Sequence, residues 1–159
     1  MSKVITESLA GGVQHAFALS NQFVDVCPEE VWGKTFGKWP VWQQLFHAYA
    51  AVDFFLRSAD ASPETSIFPD GVGDLKTTMD DAPAKLIIKD YFAQAQKRVN
   101  DYIATLDDAK LAQKHEGLSA RFGRDVTHAA NVALIASHTM YHLGCCDAAL
   151  RESGLPGVF

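Results

Sequence analysis

Ala136-Ser137-His138-Thr139-Met140-Tyr141-His142-Leu143-Gly144 is an apolar, helix-prone run. As a helix it sets His138 and His142 on one face, rotated by roughly 40° and separated by roughly 6 Å along the axis, so both imidazoles can reach a single ion. The same spacing also arises among ordinary polar residues on a helix surface. The apolar setting favours a site, because a buried imidazole needs partners for its nitrogens. A third histidine, His47, lies in a second strongly apolar segment, Val41-Trp42-Gln43-Gln44-Leu45-Phe46-His47-Ala48-Tyr49-Ala50-Ala51. Three histidines from two packed helices would leave a divalent metal with open positions for water or substrate, as in a catalytic rather than a closed structural site.

Outward from these two segments, four stretches carry helical periodicity. In the first, Ile5, Leu9, Gly12, Ala16, Leu19, Phe23 and Val26 repeat at alternating four- and three-residue steps until Pro28 stops the helix. The second spans about Pro40 to Ser58, is apolar nearly all round and is predicted to be the most buried. A third spans about Pro83 to Leu106, with Ala84, Ile88, Tyr91, Ala95, Val99, Tyr102 and Leu106 as its seam. The fourth begins near Asp125 or Val126 and ends by Ser153, ahead of Gly154 and Pro156. No stretch alternates with period two for long enough to read as a strand. The expected fold is all-α, a four-helix bundle forming one domain over residues 1–159. Its connections are long: residues 59–82 hold Pro63, Pro69, Gly71 and Gly73 with no helical period, and residues 107–124 read as similarly irregular. Loops of this length are often functional and permit topologies other than up-down-up-down.

Composition narrows the function classes. The 159 residues are 48% hydrophobic and 21% charged, with a formal net charge of −5, so disorder is excluded and no basic footprint for nucleic acid or an anionic membrane stands out. No stretch approaches the roughly 20 apolar residues of a membrane span. The amino terminus lacks the pattern of a signal peptide. Cysteines number three, Cys27, Cys145 and Cys146, which argues against a disulfide framework and for a cytoplasmic protein.

Several metal chemistries are excluded by spacing. None of the six glutamates has a histidine three positions on, as a di-iron carboxylate bundle requires. His115-Glu116 is followed by Gly117-Leu118-Ser119, so His-Glu-x-x-His is absent, and there is no Cys-x-x-Cys. A mononuclear site of His47, His138 and His142 remains.

The chain resembles the DinB/YfiT-like superfamily. The resemblance rests on Phe46-His47, on His138-Thr139-Met140-Tyr141-His142-Leu143-Gly144 and on Ala148-Ala149-Leu150-Arg151-Glu152-Ser153-Gly154-Leu155-Pro156, and it covers essentially the whole chain. It implies a four-helix bundle whose three matching histidines bind a divalent metal, commonly zinc or nickel, with iron or manganese also compatible. It implies a homodimer as well, which surplus apolar surface on the second and fourth helices also suggests. Characterised members include thiol transferases and isomerases that use low-molecular-weight thiols, so a small-molecule substrate and Lewis-acid chemistry of transferase, isomerase or hydrolase type are implied. One departure is visible: where family members often carry Gln after the glycine, this chain has Cys145. No general base stands out, and a non-catalytic metal- or ligand-binding dimer is the alternative. Cys145 and Cys146 fit packing better than ligation, His15 reads as a helix flank, and His115 and His128 read as solvent-exposed. Because the histidines must be neutral to bind, metal occupancy is expected to fall in mild acid.

Overall fold

A computed structural model describes residues 2–159. Four long helices carry the architecture: α1 (Val4–Val26), α3 (Val41–Leu56), α4 (Lys85–Ala104) and α7 (His128–Glu152). Between them lie the short helices α2 (Glu29–Trp32), α5 (Asp108–Leu111) and α6 (Glu116–Phe122). A hairpin, β1 (Thr35–Phe36) and β2 (Trp39–Pro40), pairs Phe36 with Trp39 across a turn in which Gly37 and Lys38 both take positive φ, the geometry that suits a two-residue hairpin loop. Among the described residues, no helix is long and apolar enough to cross a membrane.

The four long helices form a ring. α7 packs on α1 and α3, while α4 packs on the other sides of the same two helices. α1 and α3 therefore stand across a diagonal, as do α4 and α7, and the order is not up-down-up-down. Each diagonal crossing needs chain to span it. Residues 27–40 use α2 and the hairpin, and residues 105–127 use α5 and α6. α3 and α4 are neighbours, yet residues 57–84 join them, a length the topology does not require. Trp32, Trp42, Phe46, Tyr49, Phe17 and Phe23 are fully buried at the centre, each contributing about 2 kcal/mol of transfer free energy.

The seam of α1 is rotated from the expected one. Thr6, Val13, Ala16, Phe17, Ser20, Phe23 and Val24 are buried, whereas Ile5 and Val26 are more than half exposed. Two polar residues enter this seam because their hydroxyls are satisfied: Ser20 donates to the Ala16 carbonyl at 2.8 Å and Thr6 to the distant Asp108 at 3.1 Å. The Asp108 carboxylate also accepts from the Ile5 and Thr6 amides, capping α1 from a distance. α4 starts at Lys85 rather than Pro83, whose carbonyl instead accepts from the Trp32 indole at 2.8 Å. α7 starts at His128, with Thr127 as its cap, because Val126 is drawn into a backbone bond with His115.

Residues 107–124 are not irregular but hold α5 and α6. Asp107 caps α5 by accepting from the Lys110 amide at 2.8 Å. His115 caps α6 through Nδ1, which accepts from the Leu118 amide at 3.1 Å, and Gly123 ends α6 at φ +64°. His115 is therefore buried rather than exposed, and His128 is half-buried, the two rings lying 5.0 Å apart. The surplus apolar surface expected on α7 is largely taken up inside the chain, where Val132, Ile135 and Leu143 are buried against the flanking helices. His15, on α1, is exposed as expected.

Candidate metal centre

α3 buries Trp42, Leu45, Phe46, Tyr49 and Val52, and this fixes its rotation. His47 then falls on the sector toward α7, opposite His138 and His142. The three ring centroids form a near-equilateral triangle, 5.1 Å from His47 to His138, 4.5 Å from His47 to His142 and 4.6 Å from His138 to His142. One nitrogen from each lies within 4.8 Å of the others, close to the spacing at which a single ion could hold all three. All three histidines singled out in the sequence thus converge.

Hydrogen bonds set the direction of two rings. His47 Nδ1 lies 2.6 Å from the Gly73 carbonyl and His142 Nδ1 lies 2.9 Å from Gln44 Oε1. Both partners accept, so both Nδ1 atoms carry the proton and each Nε2 presents its lone pair. His138 Nδ1 is buried without a hydrogen-bond partner among the described residues. Three neutral imidazoles with uncommitted lone pairs and one orphaned nitrogen fit a divalent cation.

The electrostatics agree. Burial pushes the pKa of His138 down to about 4 and that of His142 down to about 3, with the neighbouring imidazoles acting in the same direction. Burial also lowers His47, against the opposing pull of the Gly73 carbonyl and of Asp74. The rings therefore stay neutral, ready to ligate, well below the range of an ordinary imidazole. Neither Cys145 nor Cys146 belongs to the cluster. Cys146 is buried and its thiol faces the Val41 carbonyl at 3.5 Å.

A cavity of about 1050 Å³ opens from His47 and His138. The end of α3, residues 63–76 of the long loop and the outer face of α7 wall it. Phe55 stands edge-on to His138 at 5.4 Å, and its carbonyl accepts from Asn131 Nδ2 at 3.0 Å. Asn131 also donates to the hydroxyl of Tyr102, which lies 2.8 Å from His128 Nδ1, so Asn131 ties both α3 and the end of α4 to α7.

Residues 13–146 match the family model of the DinB superfamily. The chain belongs to the DinB superfamily. No curated protein matches it. In this DinB-superfamily chain the histidines carried over from the family's pattern are those that the fold brings together, and proteins of this family are metal-binding.

Three orienting residues were not singled out in the sequence: Gln43, Gln44 and Gly73. Gln43 is fully buried and its Nε2 donates to the carbonyls of Val72 at 3.0 Å and Thr77 at 2.5 Å. It thereby holds the loop that brings the Gly73 carbonyl to His47. The available signal was two consecutive amides in an otherwise apolar helix, since buried amides need partners. Gln44→Leu should lower zinc affinity about 10- to 100-fold with the helices intact, whereas Gln44→Glu, which keeps an acceptor, should stay near wild type. Competition against a chromophoric chelator reads both, and unchanged affinity in Gln44→Leu would refute the orienting role.

Proposed function

We propose that this chain is a divalent-metal-dependent enzyme in which His47, His138 and His142 ligate one ion, zinc or nickel, and which acts on a small molecule such as a low-molecular-weight thiol. The observation that carries the proposal is the convergence of three neutral, desolvated imidazoles, two of which, His47 and His138, line a cavity large enough for a substrate. When bound, such an ion supplies Lewis-acid chemistry, favouring the anionic form of a coordinated water or thiol or polarising a carbonyl. The chain's own contribution is positional. Gly73 and Gln44 fix two ring orientations, and Phe55 covers the third ring from one side. No carboxylate belongs to the cluster, so the ligand set adds no negative charge and favours binding of an anionic nucleophile. A homodimer is part of the proposal. Val26, Leu86 and Ile87 are exposed where the end of α1 meets the start of α4, a meeting marked by the Lys89–Asp25 ion pair, and they supply apolar surface that a second copy would cover.

Protein purified without a histidine tag should carry one equivalent of divalent metal per chain by elemental analysis. It should consume a small thiol in the presence of an electrophile and lose that activity on chelation. Because burial lowers all three ring pKa values, to about 4 for His138 and about 3 for His142, protons compete for the ligands only in stronger acid than ordinary imidazoles require, so metal should be retained at pH 5.5. The metal-free protein should behave differently. Its unfolded histidines take up protons near pH 6.5 while the folded ones refuse them, so its stability should fall as pH drops from about 6.5 toward 3. Protein that carries no metal and takes up none on dialysis would overturn the proposal.

A further inference from the structure

Several of the residues that line the cavity with His47 and His138 are aromatic, and three of them are exposed. Phe54 is 37% exposed, Phe122 38% and Tyr141 68%. Phe54 lies 5.8 Å from Phe122 and 5.7 Å from Phe55, and Tyr91 closes the same space from α4. Flat apolar faces left open to solvent inside a concavity mark the place where a ligand's apolar body belongs.

Most charged residues of the cavity wall are already paired; the exception is Asp70, an exposed carboxylate with no ion-pair partner among the described residues. Asp53 binds Arg57 at 2.9 Å, with both side chains more than four-fifths buried. Asp74 binds Lys76 at 3.0 Å, and Glu64 pairs with Arg98. Arg121, outside the lining but with its guanidinium over Phe54, spends its terminal nitrogens on the Arg57 and Ser58 carbonyls. An anionic ligand would have to break one of these pairs to reach Arg57 or Lys76, and a cationic one is left the solvent-exposed carboxylate of Asp70, where an ion pair contributes little. An uncharged ring displaces only water. Apolar contact is therefore the dominant source of selectivity here.

We infer that this wall selects substrates with an uncharged aromatic or similarly flat apolar body, carried on a polar head that reaches the histidine cluster. The inference rests on the metal centre proposed above, and the cavity has room for more than one ring.

Hydroxamates of different tails, titrated into zinc-loaded protein, test it. Acetohydroxamate reports the centre alone, and 4-phenylbutanohydroxamate adds the ring. The aryl compound should bind about 30-fold more tightly than acetohydroxamate. Phe54→Ala and Phe122→Ala should each weaken the aryl compound about fivefold while leaving acetohydroxamate unchanged, and Phe54→Leu should give an intermediate loss. Both phenylalanines are partly exposed, and circular dichroism verifies that each variant is folded. Aryl binding no tighter than acetohydroxamate, or equal binding by 6-aminohexanohydroxamate, would overturn the inference while leaving the metal centre standing. Protein that takes up no zinc would remove the centre, and the inference with it.

Discussion

Replacing His47 with alanine should give a folded, helical protein whose zinc affinity is reduced by about 100-fold or more. Loss of an orienting partner alone typically costs 10- to 100-fold, and His47→Ala removes a ligand outright. The fold should survive because its core does not depend on the site: Trp42, Phe46 and Tyr49 on the same helix are fully buried without touching a metal. The Gly73 carbonyl loses its donor, but it lies on a half-buried loop that water can reach, so the cost is about 1 kcal/mol, or roughly 3 °C in Tm. Removing a half-buried imidazole that burial keeps neutral offsets part of that. Elemental analysis and circular dichroism decide the outcome. Loss of helical signal together with the metal would make the centre structural and would remove the basis for a catalytic role.

The largest effect on stability is expected at Gly117. α6 crosses the end of α3 so closely that a Cβ at this position would collide with the Arg57 carbonyl oxygen and lie 3.1 Å from the Ser58 carbonyl carbon. Neither group is free to retreat, because Arg121 holds the Arg57 and Ser58 carbonyls at 2.6 and 3.3 Å. Gly117→Ala should therefore destabilise the protein by about 3 kcal/mol, lowering Tm by roughly 10 °C. Gly12→Ala is the matched control. It lies inside α1, and an added Cβ would meet only the Ala136 Cβ at 4.0 Å, so stability should be unchanged or rise by up to about 1 kcal/mol. Thermal unfolding of both variants checks the contrast, and an unaffected Gly117→Ala would show that α6 can shift away from α3.

The four long helices and the three histidines were legible in the sequence because both signals are local. An i,i+4 pair and an apolar run each declare themselves within a dozen residues. What was not legible depends on partners remote in the chain. The seam of α1 turned because Asp108, about a hundred residues away, accepts from Thr6, making a threonine acceptable inside. His115 became buried because its ring caps α6 and lies against His128, relations that composition does not encode. Gln44 and Gly73 are of the same kind: the residues that aim the imidazoles lie on the second helix and in the long loop, and only the packed fold brings them to the rings.

The ring order of the helices has a consequence for assembly. His47 emerges early in synthesis, but the two histidines it faces lie on the helix that both α1 and α3 pack against, about ninety residues later. Until that helix docks, α1 and α3 lack their main shared partner, and no ion can be held by all three rings. Contacts so distant along the chain form late. On the proposed reading, the complete three-histidine site therefore exists only once α7 has docked, which ties full coordination of an ion to the closing step of folding.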